Sequence, residues 1–259
     1  MHGPIGLFDS GVGGVTIWKE VRKLLPHEST VYLADGANAP YGEKNKKEIL
    51  ERSKRCVELL LNKDCKLIVV ACNTATTNAI DYLRTHYKVP LIGIEPAIKP
   101  AALRTKTKKV GVLATKGTLS SHLFHNTSKL HASGIEVLVQ QGTGLVRLIE
   151  AKRENSPEIR RLLKGYIRPM LENQIDCLVL GCTHYPILIP LLRELLPAHV
   201  HIIDSGAAVA KRTKAILDHH GILSPSGQIL KHEFFTNANE LLLATFVDDQ
   251  NAKVSYLDF

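Results

Sequence analysis

Two cysteines stand where a parallel sheet places reactive groups. Cys72 and Cys182 each follow a short apolar run, residues 67–71 and 177–180. The polar residues that come directly after them are Asn73, Thr74, Thr183 and His184. Most free cysteines are small buried apolar residues, but a reactive thiol needs polar neighbours that can tune its charge. We therefore interpret Cys72 and Cys182 as functional thiols.

The cysteine count limits the alternatives. The other cysteines, which we interpret as buried apolar residues, are Cys56, Cys65 and Cys177. Five cysteines without any Cys-x-x-Cys spacing favour neither a secreted disulfide framework nor a four-thiolate zinc site. A metal site built from Cys72, Cys182 and His184 remains an alternative, although the sequence offers no clear fourth ligand.

The two cysteines belong to a longer internal repeat. IGLFDS (5–10) resembles VGVLAT (110–115), and LIVVACNT (67–74) resembles CLVLGCTH (177–184), so related segments lie 105 to 110 residues apart. The second alignment superimposes Cys182 on Cys72. In parallel α/β sheets ligands bind just beyond the carboxyl ends of the strands. Two related lobes that face each other would place the thiols on opposite walls of one cleft.

The elements that must position these residues alternate between apolar runs and helical periodicity. This alternation predicts an α/β fold with mostly parallel sheets flanked by helices. The predicted strands are residues 5–8, 30–33, 67–71, 91–94, 110–113, 136–139, 177–180 and 200–203. Apolar residues recur every three or four positions in 15–25 and 49–60, as a buried helix face requires. Ser156, Pro157 and Glu158 have the residue types that open a helix.

The glycine-rich segment FDSGVGG (8–14) places Asp9 and Ser10 at the end of the first strand. It lacks the third glycine of the dinucleotide fingerprint, so a nicotinamide dehydrogenase is disfavoured, and the chain has no Walker-type loop. After the second strand, the turn PYG (40–42) has backbone N–H groups that could hold a carboxylate.

Composition excludes the disordered and fibrous classes, since 44% of the 259 residues are hydrophobic and 22% are charged. The net charge of +8 is compatible with nucleic-acid binding or with an anionic substrate, but a solvated basic surface is the better explanation. No apolar stretch approaches the length of a membrane span, and the first ten residues do not resemble a signal peptide. We expect a soluble, cytoplasmic protein.

Four motifs in the same order resemble those of the glutamate racemases. They are FDSGVGG (8–14), PYG (40–42), CNTA (72–75) and LGCTHYP (180–186), with DSGAA (204–208) and GVLATKGT (111–118) in addition. IEPAIKP (94–100) is most similar to the proteobacterial branch. The tail after about Ser224 matches no recognised motif.

This resemblance implies a fold and a reaction. It implies two pseudo-symmetric lobes, residues 1–97 with 208–259 and residues 98–207, with the active site between them. The implied reaction is a cofactor-free racemisation of glutamate that supplies D-glutamate for peptidoglycan. Inverting an α-carbon needs a base on one face and an acid on the other. In the family pattern Cys72 removes the proton of D-glutamate and Cys182 removes that of L-glutamate.

The resemblance also assigns supporting residues. It pairs Asp9 with Cys72 and His184 with Cys182, and it implies that Glu150 lies near the second thiol, although a solvated helix carboxylate is an alternative for that residue. The expected substrate-binding residues are Asp9, Ser10, Tyr41, Gly42, Asn73, Thr74, Thr115, Thr118, Thr183 and His184.

Other functions stay open at this point. A pyridoxal phosphate enzyme needs a Schiff-base lysine, and apart from IEPAIKP (94–100) the only lysine in the motifs is Lys116. Aspartate racemase, a related two-cysteine enzyme, is the near alternative, and a basic nucleic-acid-binding module is the distant one. The resemblance implies no metal, a peptidoglycan precursor as a candidate activator and a homodimer as a candidate assembly.

Overall fold

The strands form two separate sheets. The structure, a computed structural model, describes residues 3–227 and 229–259, so residues 1 and 2 of the predicted first lobe and residue 228 lie outside it. The strands are β1 (Ile5–Asp9), β2 (Thr30–Ala34), β3 (Leu67–Val70), β4 (Leu91–Gly93), β5 (Lys109–Ala114), β6 (Glu136–Gln141), β7 (Cys177–Gly181), β8 (His201–Ile203), β9 (His232–Thr236) and β10 (Ala252–Tyr256). Every strand pair in both sheets is parallel.

Helices connect the strands, as parallel pairing requires. They are α1 (Val15–Leu24), α2 (Lys46–Leu61), α3 (Asn73–His86), α4 (Ile98–Arg104), α5 (Lys116–Leu119), α6 (His122–His131), α7 (Leu145–Glu150), α8 (Pro157–Glu172), α9 (Ile189–Leu195), α10 (Gly206–His220) and α11 (Glu240–Val247). The helix α8 begins as its sequence predicts, because the side chain of Ser156 accepts a hydrogen bond from the backbone N–H of Ile159.

The two sheets share one strand order. The first sheet runs β10-β9-β2-β1-β3-β4 and the second runs β6-β5-β7-β8. Removing β9 and β10 makes the orders equivalent, with β1 matching β5 and β3 matching β7. The α/β fold of two related lobes that the repeat predicts is therefore confirmed.

Apolar side chains cover both faces of each sheet, which explains why the strands read as continuous apolar runs. One core cluster contains Leu7 and Val69 of the first sheet together with Leu113 and Leu178 of the second. Two further clusters lie within single lobes. The shared cluster therefore joins the two lobes.

The chain crosses between the lobes twice, after β4 and after β8. The two crossings touch, because the hydroxyl of Ser205 donates a hydrogen bond to the carbonyl oxygen of Glu95 at 2.5 Å. No helix in the described ranges is both long and apolar enough to span a membrane.

Each predicted strand overlaps an observed one, but the C-terminal part of the first sheet was missed. Strand β9 pairs with β2, and β10 pairs with β9, so both extend the first sheet at one edge. The burial of β9 alternates along the strand instead of being continuous. Its sequence, HEFFT, therefore lacks the uninterrupted apolar character by which the other strands of this sheet are recognised.

Candidate active site

Cys72 lies between β3 and α3, as the residue that caps the helix. Its Sγ accepts a hydrogen bond from the N–H of Ala75 at 3.4 Å, and its thiol lies 3.8 Å from the hydroxyl oxygen of Ser10. Burial raises the pKa of this thiol, and the nearby carboxylate of Asp9 raises it further. Cys72 therefore carries its proton at neutral pH.

Cys182 follows β7 and has a different environment. Its Sγ lies 3.8 Å from Nδ1 of His184, and Nε2 of the same imidazole lies 2.8 Å from Oε1 of Glu150. Burial alone would lower the pKa of His184, but the contacts with Cys182 and Glu150 outweigh burial and raise it well above its ordinary value. The resulting imidazolium stabilises negative charge on the sulfur beside it.

Glu150 is the third member of this cluster. Its side chain, on α7, is only 19% exposed, and its Oε1 also accepts a hydrogen bond from the backbone N–H of Val12 in the first lobe. Burial raises the pKa of Glu150, but the contact with His184 outweighs burial and the net shift is downward. Glu150 is thus an ionised partner of His184, and not a solvated helix carboxylate.

The glycine-rich segment is pressed against this cluster. A Cβ atom at Gly13 would lie 2.3 Å from Nδ1 of His184, and one at Gly11 would lie 2.0 Å from Oε1 of Glu150. Larger residues would therefore displace the imidazole or the carboxylate. These glycines let the backbone of the first lobe approach the acid and base groups of the second.

Asp9 is fully buried between the lobes. Its Oδ2 accepts a hydrogen bond from the hydroxyl of Thr183 at 3.1 Å, and its Oδ1 accepts one from the N–H of Gly11 at 2.9 Å. Burial raises the pKa of Asp9 to about 6, although the positive charge of His184 opposes this rise. Asp9 is therefore a carboxyl group that titrates close to neutral pH.

The thiols of both lobes line one small pocket. Its lining residues are Ser10, Pro40, Tyr41, Gly42, Cys72, Asn73, Thr74, Thr115, Val146, Cys182, Thr183 and His184. Nδ2 of Asn73 is buried without a hydrogen-bond partner, so it is free to donate to a ligand. The cavity measures about 10 Å³, which is about the room for one water molecule. An amino acid can enter only when the lobes separate.

Hydrogen bonds among three threonines join the two lobes on one side of the cleft. The hydroxyl of Thr74 lies 2.9 Å from that of Thr115 and 3.4 Å from that of Thr118, which lies across the cleft in the second lobe. On the outer side, Arg147 and Glu43 form an exposed ion pair at 2.5 Å across the mouth. Separating the lobes breaks both sets of contacts.

The family model for Asp/Glu/hydantoin racemases matches residues 16–213. The chain belongs to this family.

Individual members of the racemase family are similar over most of their length. A glutamate racemase of Ectopseudomonas mendocina is 48% identical over 222 residues, which cover 85% of this chain and 84% of that protein. The crystal structure of a glutamate racemase isoform from Bacillus anthracis has a TM-score of 0.89 at 32% identity and covers 100% of this chain and 98% of that one. The Escherichia coli glutamate racemase, in complex with L-glutamate and the activator UDP-MurNAc-Ala, has a TM-score of 0.85 at 35% identity and covers 98% and 99%.

Most of the residues that the sequence singles out in this racemase-family chain come together. The predicted residues that do not line the pocket are Asp9, Thr118 and Glu150. Each of these lies behind the wall and hydrogen-bonds a residue that does line it: Asp9 to Thr183, Thr118 to Thr74, and Glu150 to His184.

Sequence reasoning missed two lining residues, Pro40 and Val146. Pro40 is the first residue of the turn PYG (40–42) that the sequence did single out, but only Tyr41 and Gly42 of that turn were predicted to bind substrate. Val146 is an apolar residue of α7 with ordinary helical spacing, and no signal in the sequence separates it from the core. No group of three or more His, Cys, Asp or Glu side chains in residues 3–227 and 229–259 could hold a metal ion.

Proposed function

We propose that this chain racemises glutamate by a two-base mechanism that uses Cys72 and Cys182. The observation that carries the proposal is the single pocket lined by both thiols, one from each lobe. The similarity to glutamate racemases of known structure supports glutamate as the substrate. Because the thiols supply both the acid and the base, the reaction needs no cofactor to move the proton.

In the direction from L-glutamate to D-glutamate, Cys182 is the base and Cys72 is the acid. The thiolate of Cys182, next to the imidazolium of His184, takes the α-proton of L-glutamate from one face. The thiol of Cys72 gives its proton to the opposite face of the α-carbon, which produces D-glutamate. The thiol and thiolate are then exchanged, and the reverse reaction starts from Cys72.

The α-proton is weakly acidic, so the site must stabilise the carbanion that forms. Nδ2 of Asn73 and the hydroxyl of Ser10 are donors in the pocket wall, and the N-terminus of α3 adds its positive end. The ammonium group of the substrate offsets the negative charge. Asp9 acts from behind this wall, through Thr183 and through its charge near Cys72.

Substrate length is set at the turn of residues 40–42. Tyr41 and Gly42 line the pocket, and their backbone N–H groups would bind the side-chain carboxylate of glutamate. Aspartate is one methylene shorter, so its carboxylate would not reach the same donors while its α-carbon lies between the thiols. This argument favours glutamate over aspartate.

The decisive experiment is circular dichroism of L-glutamate and L-aspartate with the purified protein and no added cofactor. Loss of optical activity for glutamate supports the proposal, and loss for aspartate alone refutes the choice of substrate. Cys72→Ala and Cys182→Ala should each abolish racemisation without unfolding the protein, whereas Cys177→Ala, a buried cysteine outside the pocket, should retain activity. An active Cys72→Ala or Cys182→Ala variant rules out the two-base scheme.

Isotope exchange gives a second test. In deuterium oxide, D-glutamate formed early from L-glutamate should carry deuterium at the α-position, because the Cys72 thiol exchanges with solvent. The remaining L-glutamate should carry little. The measurement is NMR at low conversion after chiral separation. Equal early labelling of both enantiomers, or much protium in the product, contradicts two opposed thiols.

An acidic effector is the second part of the proposal. Beside the edge strand β4 lies a cavity of about 460 Å³, whose basic lining residues are Arg84, Lys88, Arg212 and His220. The lining contains no carboxylate, and none of the four side chains forms an ion pair within the described residues. A peptidoglycan precursor carries a diphosphate and a carboxylate, which match the cationic groups of Arg84, Lys88 and Arg212.

Titration calorimetry with UDP-MurNAc-Ala tests this site. The wild-type protein should bind the precursor and racemise glutamate faster in its presence. Arg212→Ala should weaken binding about tenfold or more, the loss of one charge-assisted contact. The neighbouring exposed residue does not line the cavity, so Lys211→Ala should bind as the wild type does. Equal binding by both variants would exclude this cavity.

The cellular setting follows from the same reaction. D-glutamate supply for peptidoglycan places the enzyme in the cytoplasm, and the five free cysteines are consistent with a reducing compartment. Cell fractionation with an antibody against the chain tests this location. The homodimer stays a prediction, which sedimentation of the purified protein can test.

A further inference from the structure

Asp35 is a buried carboxylate that the two-base reaction does not use. It follows β2, is fully buried, and accepts five hydrogen bonds. Arg52 of α2 donates two of them, at 2.7 and 2.8 Å, and Asn38 donates one at 2.8 Å. The hydroxyl of Tyr41 donates one at 2.5 Å, and Asn237 donates the last at 2.6 Å.

Asn237 brings the C-terminal segment into this cluster. It follows β9, the strand that sequence analysis missed. Its Oδ1 accepts a hydrogen bond from the N–H of Ala37, and its Nδ2 donates to Asp35 and to the carbonyl oxygen of Phe259 at 3.0 Å. That carbonyl oxygen also accepts a hydrogen bond from Arg52 at 2.6 Å. Residues from three separate parts of the chain therefore donate to one carboxylate.

Asp35 is ionised at neutral pH. Burial would raise its pKa, but hydrogen bonds from Arg52 and Tyr41 outweigh burial and lower it. The Tyr41 hydroxyl is fully buried, and burial raises its pKa well above the ordinary value, so it stays protonated and donates. A hydrogen bond to an ionised acceptor is about twice as strong as one between neutral groups. The hydrogen bond to Asp35 therefore fixes the side chain of Tyr41.

The backbone of the same residue forms the pocket wall. We propose that Asp35, Arg52 and Asn237 are positioning residues, which hold the Tyr41 and Gly42 N–H groups at the distance that selects glutamate by its length. This inference rests on the proposed function and extends it to the C-terminal segment. The residues do not touch the substrate; they act through the hydroxyl of Tyr41.

The first test is Tyr41→Phe, which keeps the buried ring and removes only the hydroxyl. KM for both glutamate enantiomers should rise about tenfold, while kcat changes by less than about twofold, because contacts to the side-chain carboxylate are the same in the ground and transition states. The preference for glutamate over aspartate in kcat/KM should fall about tenfold, since aspartate does not use these donors.

The matched control is Tyr87→Phe. Tyr87 also donates its hydroxyl to a carboxylate, that of Glu58 at 2.9 Å, but this pair is exposed and lies outside the pocket. Its removal should leave KM and substrate preference unchanged. Melting temperatures of both variants show that they are folded.

The distal end of the network is tested by Asn237→Ala, alone and combined with Tyr41→Phe. Alone, Asn237→Ala should raise KM about threefold. This rise is smaller than that of Tyr41→Phe, because Asn237 supports the hydroxyl of Tyr41 only indirectly. In the double variant, Asn237→Ala should cause almost no further rise in KM, because the Tyr41 hydroxyl through which Asn237 acts is already absent. A merely structural role would lower stability and leave the preference for glutamate unchanged.

The outcomes separate the two proposals. If the wild-type protein does not racemise glutamate, the proposed function fails and this inference fails with it. If the wild type is active and Tyr41→Phe keeps its KM and its preference, only the inference is overturned. If Tyr41→Phe does not fold, the KM and the preference of Asn237→Ala alone decide the question, and no change in either overturns the inference.

Discussion

Replacing Asp9 by asparagine should make the protein more stable at neutral pH while reducing its activity. Asp9 is fully buried, and burial raises its pKa from 3.8 to about 6. Above pH 6 the folded protein therefore holds a buried negative charge that the unfolded chain would keep in water. Asparagine has nearly the same shape and no charge: its Oδ1 can accept from the N–H of Gly11, and its Nδ2 can donate to the hydroxyl oxygen of Thr183.

The magnitude follows from the two pKa values. Each pKa unit is worth about 1.4 kcal/mol, so a rise from 3.8 to about 6 removes about 3 kcal/mol of folding free energy once the carboxyl group is ionised. The favourable contribution of protonated Asp9 is complete below pH 3.8 and is lost as the pH rises to about 6. The stability gain of Asp9→Asn should therefore grow between these values and remain constant above them.

The assay is urea unfolding of both proteins, followed by circular dichroism at a series of pH values from 4 to 8. The difference between the two free energies of unfolding isolates Asp9, because all other titrating groups are common to both proteins. Racemase activity is measured on the same samples. A difference that does not change with pH, or an Asp9→Asn variant less stable than the wild type at pH 8, refutes the reasoning.

Three further variants probe the contacts between the lobes. Glu150→Gln should lower kcat about tenfold in progress curves of optical activity, because His184 loses an ionised partner. Gly13→Ala should lower kcat about a hundredfold by displacing His184, whereas Gly165→Ala, where a Cβ atom meets nothing within 4 Å, should retain full activity. Glu43→Gln should change the free energy of unfolding by less than about 0.5 kcal/mol, since its ion pair is exposed; a larger change would mean that this pair holds the lobes closed.

The sequence predicts well whatever depends on local pattern. Strands buried on both faces are continuous apolar runs, and the repeat superimposes Cys182 on Cys72, so the two sheets and the shared pocket could be anticipated. Hydrogen bonds between the two lobes could not be anticipated from the sequence. The hydrogen bond from the N–H of Val12 to Glu150 joins residues 138 positions apart, and spacing along a chain does not determine such distances. The resemblance placed Glu150 near the second thiol but did not identify its partner.

The C-terminal segment shows the same limit. Strands β9 and β10 add to one edge of a sheet whose other strands are already paired, and β9 alternates between buried and half-buried residues. Asn237 is an ordinary turn residue by type. Its role follows from its hydrogen bond to Asp35, and the position that allows this bond depends on the pairing of β9 with β2.

The unequal surroundings of the two thiols have a kinetic consequence. Cys182 has a charged imidazolium and a carboxylate behind it, whereas Cys72 has a helix N-terminus and the hydroxyl of Ser10. Enantiomers have identical free energies in water, so thermodynamics requires kcat/KM to be equal in the two directions. The asymmetry of the site can therefore show itself only as a larger kcat for one enantiomer that is balanced by an equally larger KM. However different the two walls of the cleft are, the final mixture stays racemic, and conversion of more than half of the L-glutamate requires a later reaction that removes D-glutamate.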